Sequence, residues 1–132
     1  MKKVTNIALI LVVVLLAAVM LRWFIDFVHC EMLTLQYKAE FEYAYLSGTE
    51  IAKLQDLKVL SYSDHSAKVY YMEHGMASGN IVTFQRIRTN SAWEVSDWVI
   101  LWDIWNTENE SRNFVYPYWW DYFYAYFGKI CA

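Results

Sequence analysis

An uncharged apolar run near the start of the chain constrains its fold more than any other feature. The residues from Ile7 to Leu21 read IALILVVVLLAAVML. Extended through Trp23 and Ile25, the stretch covers residues 7–25, close to the roughly 20 that a helix needs to cross a bilayer. Arg22 fits this interpretation because its apolar stem can stay in the membrane while its guanidinium reaches the interface. The run therefore predicts a transmembrane anchor over 7–25.

A cleaved signal peptide is the alternative interpretation of the same run. A signal peptide shares the basic start and the apolar stretch, but it also needs small residues at its cleavage site. Ala17 and Ala18 lie inside the run, and the residues at 22–25 are large. The residues just before Cys30 likewise lack the small side chain expected beside a lipidated cysteine. We expect an uncleaved anchor, whereas cleavage would release a secreted domain.

The charges on either side of the anchor predict its orientation. Lys2 and Lys3 precede the run, so the positive-inside rule places residues 1–6 in the cytoplasm and the chain beyond the anchor outside the cell membrane. From Trp23 onward, eight Lys/Arg face fourteen Asp/Glu, a formal charge of −6. This acidic part disfavours a nucleic-acid partner, which needs a basic stripe. It also disfavours adsorption to anionic lipid through a basic cluster.

Beyond the anchor, residues 26–113 are predicted to form an extracytoplasmic α+β domain. The anchor should continue as an amphipathic helix ending at Ser47-Gly48, because apolar residues recur every four positions at Leu33, Tyr37, Phe41 and Tyr45. Thr49 then predicts the N-cap of a short helix over Glu50–Gln55.

Four segments rich in β-branched and aromatic residues follow, and they predict an antiparallel β-meander. They are LKVLSYS, AKVYYME, NIVTFQRIR and WEVSDWVILWDIW, separated by turn-forming residues. The tryptophan spacing of the last segment also fits a helix. We predict a strand there, because Val95, Val99 and Ile100 favour β-structure and a hairpin turn at Thr89–Ala92 leads directly into it.

The order of a helix and then a β-meander, with the phrase Trp93-x-Val95-x-Asp97-Trp98, resembles the cystatin-like/NTF2-like superfamily. The resemblance extends from Leu33 to Trp105. It implies a curled sheet that wraps a helix, carried in some bacterial members behind a single membrane helix. The superfamily contains enzymes, ligand binders and assembly modules, so the fold alone does not select a function.

The residues that could carry catalysis are few. Glu73 and His74 are adjacent on a predicted strand, so their side chains point to opposite faces and cannot share a pocket. His65 lies in a predicted tight turn that should face water. The cysteines and histidines are not arranged at zinc-ligand spacing, and the common catalytic motifs are absent. We therefore predict no catalytic residues, no metal and no cofactor.

Tryptophans of the fourth segment are the stronger candidates for binding. On a regular strand Trp98 and Trp102 share one face, while Trp93 and Trp105 take the other. Core packing is one interpretation, and an aromatic-lined groove for a ligand or peptide is the other.

The C-terminal tail, residues 114–132, is crowded with rings. Nine of the twelve residues from Tyr116 to Phe127 are aromatic, and seven of these nine are Tyr or Trp. Such rings suit the domain core, a partner protein or the membrane interface, where the ring is apolar and its polar atom stays wet. We predict that the tail returns to the base of the membrane helix. Its candidate contact residues are Tyr118, Trp119, Trp120 and Tyr122.

The tail's return would also bring Cys131 near Cys30, just outside the membrane. A disulfide between them is compatible with an oxidising compartment, and two unpaired thiols are the alternative. The predicted function is that of a non-catalytic accessory or assembly module, bound to the lipid bilayer and docking on another envelope protein. The alternatives are a binder of a hydrophobic ligand or lipid in a concave sheet and an NTF2-like enzyme.

Overall fold

The structure, a computed structural model, describes residues 1–48, 54–73, 78–103 and 115–121. One helix precedes four strands. Helix α1 spans Lys2–Gly48, and the strands are β1 (Leu54–Tyr62), β2 (Ser66–Glu73), β3 (Ser78–Gln85) and β4 (Glu94–Asp103). The α+β class predicted from the sequence is therefore confirmed.

Helix α1 is 47 residues long, about 70 Å at 1.5 Å per residue. Large apolar side chains are exposed along its first half, from Val4 to Ile25. Among the described residues, α1 is the one helix long and apolar enough to cross a membrane. A signal sequence near the N-terminus has the same properties.

The second half of α1 lies on the sheet through the predicted apolar stripe. Phe41 and Tyr45 are fully buried, with Leu33 and Tyr37 packed beside them. The helix ends at Gly48, where glycine was expected to end it. The predicted short helix at Glu50–Gln55 is wrong at its C-terminal end, because Leu54 already pairs with Glu73 in the sheet. Residues 49–53 lie outside the described ranges.

The four strands form one antiparallel sheet in the order β1-β2-β3-β4, which is the predicted meander. Val59 pairs with Val69, Val69 with Val82 and Val82 with Trp98, so one row of apolar side chains crosses all four strands. Directly paired residues point to the same side of a sheet. Val59, Val69 and Val82 pack in one cluster with Phe41 and Tyr45 of α1, so the row faces α1.

Two β-bulges in β4 change which residues share a face. Asn80 pairs with Ile100 and Gly79 with Trp102, which leaves Leu101 as an extra residue. An extra residue reverses the alternation of side chains beyond it. Trp98 therefore faces α1 while Trp102 faces away, and the prediction that they share a face is wrong.

A second bulge lies near the start of β4. Thr83 pairs with Asp97 and Phe84 with Val95, which leaves Ser96 as the extra residue. This bulge allows Trp93 to pack on the same side as Trp98, against Phe41. The prediction that Trp93 takes the opposite face is therefore also wrong, and Trp105 lies outside the described residues.

The sheet has an apolar cluster on each face. The helix-side cluster contains the buried residues Phe41, Tyr45, Leu57, Val59, Ala67, Val69, Tyr71, Val82 and Phe84. The tail-side cluster contains Cys30, Tyr70, Met72, Leu101, Trp102, Val115 and Tyr118. Because neighbouring residues such as Tyr70 and Tyr71 belong to different clusters, the sheet forms the layer between them.

Candidate functional site at the junction of helix and tail

Residues 115–121, here the tail segment, run along residues 22–31 of α1, here the helix base. Three hydrogen bonds fix them together. The Trp23 indole donates to the Pro117 carbonyl (3.0 Å), Tyr116 to the Asp26 carboxylate (2.7 Å) and Tyr118 to the Glu31 carboxylate (2.7 Å). The helix partners are spaced so that one side of α1 receives the whole segment.

Aromatic rings fill the space between these hydrogen bonds. Trp120 packs edge-on against both Trp23 and Phe27, with ring centroids 5.9 and 5.7 Å apart. Phe27 also meets Tyr118 at 5.7 Å. The predicted return of the tail to the helix base is thus present for residues 115–121. Contact of this junction with lipid headgroups stays a prediction.

The inner side of the tail segment contacts a charged pair, Lys58 of β1 and Glu31 of α1. Lys58 Nζ lies 2.8 Å from a carboxylate oxygen of Glu31 and 5.4 Å from the centre of the Tyr118 ring. Glu31 therefore accepts from both Lys58 and Tyr118. Burial, together with the hydrogen bond to Glu31, raises the pKa of the Tyr118 hydroxyl well above its usual range. Through Glu31, these two hydrogen bonds connect α1 with β1 and with the tail segment.

Asp121 lies buried at the end of the tail segment. Burial raises the pKa of its carboxyl, while the neighbouring Tyr70 and Lys58 partly oppose that shift. The Tyr70 hydroxyl makes no hydrogen bond with an ordinary distance and angle. It still lies close enough to Asp121 for each group to influence the other's pKa. A buried carboxyl without a strong partner favours its neutral form.

The outer side of the tail segment forms a groove with α1, here the basal groove. Its volume is about 660 Å³, and it is lined by Ala18, Val19, Met20, Arg22, Trp23, Tyr116 and Trp119. Trp119 is 48% exposed, and Arg22 is the charged residue of the lining. The groove therefore combines an apolar wall with one cation at the end of the predicted membrane span.

Four exposed apolar side chains lie on β4, namely Val95, Trp98, Val99 and Ile100, here the β4 strip. By their pairing, Val95, Trp98 and Ile100 point to the helix side of this outer strand and Val99 to the tail side. The Trp98 indole donates to Asn80 (3.2 Å), and its ring lies 5.7 Å from that of Tyr45. Trp98 is nevertheless 37% exposed, so it is only partly in the core.

The predicted binding residues fall into two groups. Trp98 and Trp119 are exposed and Trp120 is half-buried, so they present surface to a ligand or partner. Trp102 and Tyr118 are only 6% and 2% exposed and belong to the tail-side cluster. Tyr122 lies outside the described residues.

Several residues of the junction were not predicted from the sequence. The sequence places Trp23, Asp26 and Glu31 in the anchor or the helix and does not indicate their contacts with the tail. Asp26 and Glu31 follow Trp23 by three and eight residues, positions that lie on one side of a helix, and this spacing is the signal that the sequence contains. The spacing does not say which distant segment covers that side.

Polar groups away from the junction include the turn at His65 and the side chain of Arg86. His65 lies in the exposed turn between β1 and β2, as predicted, and His74 lies outside the described ranges. Arg86 stacks 4.1 Å over the Trp93 ring and donates to the Tyr62 hydroxyl, so it clamps the strand ends together. Within the described ranges, no group of three or more His, Cys, Asp or Glu is placed to hold a metal ion.

Cys30 is a buried free thiol in the tail-side cluster. It lies 3.7 Å from the Leu60 carbonyl. Burial, reinforced by the nearby Asp26 and Glu31 carboxylates, raises its pKa to about 11. The thiol is therefore protonated and a poor nucleophile at neutral pH. Cys131 lies outside the described residues, so the disulfide stays a prediction.

Comparison of the chain with protein-family models, curated proteins and solved structures finds no match. The cystatin-like/NTF2-like resemblance therefore rests on the element order and on the phrase from Trp93 to Trp98. Function has to be inferred from the residues and contacts of the chain itself.

Proposed function

We propose that the protein is a single-pass membrane-anchored accessory protein, without catalysis, whose outer domain docks on another membrane or envelope protein. The observation that carries this proposal is the β4 strip. Four apolar side chains are exposed there on the last strand of the described sheet, while the chain's own helix and tail segment pack on the two faces of that sheet.

An apolar outer strand is unusual unless something covers it. Natural edge strands usually carry charges, proline or short lengths that prevent association with other chains. Strand β4 has ten residues and carries Glu94, Asp97 and Asp103, but its exposed side chains from Trp98 to Ile100 are all apolar. Tryptophan is enriched among the residues that contribute most to protein–protein binding. The strip is therefore suited to a protein partner.

The anchor supports a partner in the same membrane. The exposed apolar half of α1 fits a bilayer span at 7–25, and Lys2 and Lys3 favour a cytoplasmic N-terminus. Because α1 continues unbroken into the domain, the helix would hold β4 at a defined distance from the membrane. A helix lying on one face of an antiparallel meander also supports the cystatin-like/NTF2-like arrangement.

The other two functions have weaker support. A hydrophobic ligand in the concave sheet would need the space that Phe41 and Tyr45 fill. An enzyme would need acid and base groups meeting in a cleft. Among the described residues, His65 and Glu94 line one cleft of about 330 Å³, but His65 lies in an exposed turn, so this alternative has weaker support.

Photo-crosslinking in intact cells tests the docking proposal. We expect a photoreactive side chain at Val99 to yield one discrete heavier adduct. The same group at Ile87 is the matched control, because Ile87 is also apolar and exposed but lies in the turn before β4. Val95→Asp should remove the Val99 adduct. Equal adducts at both positions, or none at Val99, would refute docking through β4.

Topology needs its own measurement. Protease added outside cells stripped of wall or outer membrane should remove an epitope at the C-terminus and spare one at Met1. The protein should also stay in the membrane after carbonate washing. Protection of the C-terminal epitope would contradict the extracytoplasmic placement.

A further inference from the structure

We propose that the basal groove binds one membrane glycerophospholipid, with an acyl chain against Val19 and Trp119 and the phosphate on Arg22. This inference rests on the proposed membrane anchor but not on docking through β4. It assigns to the helix–tail junction a ligand of defined chemistry, in addition to its structural role.

The depth of the groove suits a phospholipid. Ala18 to Trp23 form the last part of the predicted span 7–25, so the groove covers about 8 Å of helix at the outer boundary of the bilayer. This is the level where acyl chains join the glycerol phosphate. Trp23, Tyr116 and Trp119 are of the two residue types that concentrate at that level.

The groove has an apolar wall and one charged residue at its edge, which match the acyl chains and the phosphate of a phospholipid. Six of the seven lining residues are apolar or aromatic, and Arg22 is the seventh. The volume of about 660 Å³ is within the range of ligand pockets, about 300–1,000 Å³. Because Trp119 comes from the tail segment and Val19 from α1, the apolar wall exists only when the tail has returned.

The charges around Arg22 leave it able to bind a phosphate. Its Nε lies 3.2 Å from the Asp26 carboxylate, which also accepts the Tyr116 hydroxyl. Among the described contacts, the guanidinium is engaged through Nε only, and its side chain is 76% exposed. Asp26 therefore orients Arg22 while the terminal nitrogens remain for the fork-like contact that arginine makes with phosphate.

A single site differs from general attraction to an anionic membrane. The acidic outer domain, with its formal charge of −6, has no basic cluster to draw it onto such a surface. One arginine beside an apolar groove instead retains an individual lipid. We expect that any glycerophospholipid binds, whatever the charge of its headgroup, provided that it carries the phosphate.

Native mass spectrometry of the full-length protein in detergent micelles tests the proposal. Phosphatidylglycerol, phosphatidylcholine and diacylglycerol with identical acyl chains are added in turn. We expect one phosphatidylglycerol or phosphatidylcholine per chain and roughly tenfold weaker retention of diacylglycerol, since hydrogen bonds to a charged group are worth about this factor. Arg22→Gln should weaken phosphatidylglycerol retention to a similar extent, and Arg88→Gln should not.

Two tryptophans provide matched variants that separate this site from the docking surface. Trp119→Ala should lose the lipid and keep the crosslink from Val99. Trp98→Ala changes a similarly exposed tryptophan that lies on β4 and does not line the groove, so this variant should keep the lipid. Near-ultraviolet circular dichroism would show whether each variant retains its packed rings. If Trp119→Ala unfolds, the comparison of Arg22→Gln with Arg88→Gln decides the question.

Three outcomes would overturn the lipid site. Equal retention of diacylglycerol and phosphatidylglycerol would mean that no phosphate is recognised. Equal retention by the Arg22→Gln and Arg88→Gln variants would mean that Arg22 does not bind it. Release of the protein by carbonate would remove the anchor on which the proposal rests, whereas loss of the Val99 crosslink alone would refute docking and leave the lipid site standing.

Discussion

The two faces of the sheet are closed in different ways. On the helix-side face, Tyr71 is fully buried and its hydroxyl donates to the Phe41 carbonyl (2.8 Å). On the tail-side face, the adjacent Tyr70 is equally buried, but its hydroxyl has no hydrogen bond of full geometry, and neither has the Trp102 indole nitrogen. Of these two neighbouring tyrosines on β2, only Tyr71 thus has a hydrogen bond from its hydroxyl with an ordinary distance and angle.

This difference follows from what covers each face. A continuous helix covers the helix side, and its apolar stripe matches the sheet. The described cover on the tail side is the short tail segment together with the helix base. It brings Glu31 and Asp121 close to Lys58 of β1. Buried polar groups that are only partly satisfied reduce stability. We infer that the short tail segment opens more easily than the continuous helix α1.

Truncation of a ring on the helix-side face should have the largest effect. Phe41→Ala removes a fully buried ring and should lower the free energy of unfolding by about 3–5 kcal/mol. Trp98→Ala should cost clearly less, because its ring is partly exposed. Urea titration of the detergent-solubilised protein, followed by near-ultraviolet circular dichroism, measures both. An equal loss for the two variants would contradict the placement of Trp98 at the margin of the core.

A smaller loss is expected where the tail-side face is tightly packed. A Cβ added at Gly79 would lie 2.5 Å from the Trp102 ring, so one of them must move. Gly79→Ala should therefore cost about 1–3 kcal/mol, the usual range for overpacking. Adding Trp102→Phe should recover part of the loss, because the smaller ring leaves room. Fully additive losses in this double-mutant cycle would show that the two residues do not touch.

The fold was largely predictable because local patterns determine it. Leu33, Tyr37, Phe41 and Tyr45 repeat every four residues, and the structure places all four on the sheet. The bulges at Ser96 and Leu101 were not predictable from alternation, because one extra residue reverses every face assignment beyond it. The errors over Trp93, Trp98 and Trp102 all have this origin.

The candidate site was less predictable, since it depends on contacts between distant segments. The aromatic composition of the tail predicted its return to the helix base. It could not predict that Tyr116 would meet Asp26 or that Tyr118 would meet Glu31, each across about 90 residues of chain. Many pairings of tyrosines and carboxylates fit the same composition, and only packing in three dimensions selects one.

Removal of single hydroxyl groups tests the difference between the faces directly. Tyr71→Phe deletes the donor to the Phe41 carbonyl and should cost about 1 kcal/mol, because a buried acceptor loses its partner. Tyr70→Phe should be neutral or stabilising, since that buried hydroxyl gains no hydrogen bond of full geometry. The two variants change the same atom in adjacent residues, so each is the control for the other. Equal costs would show that the faces do not differ in this respect.

The smallest effect is a pH dependence of the tail-side face, carried by Asp121. Burial raises the pKa of this carboxyl above its ordinary value of 3.8, so the folded protein holds the proton more tightly than the unfolded chain. Stability must therefore fall as the pH rises from that ordinary value through the raised one, and it must level off above it. The stabilising form is the neutral carboxyl.

Asp121→Asn keeps the shape of this side chain and removes its charge. We expect the variant to lose this fall in stability and to exceed the wild type above the raised pKa, where the wild-type carboxylate is buried and charged. Urea midpoints across a pH series measure the difference. Asp97→Asn, which changes an exposed carboxylate on β4, should leave the profile unchanged.

Hydrogen exchange of the Asp121 amide, which donates to the Tyr118 carbonyl (3.2 Å), should slow in the Asp121→Asn variant if the tail segment is the element released. A wild-type stability that rises with pH over the same interval would contradict the assignment, because it would mean that the folded state favours the Asp121 carboxylate.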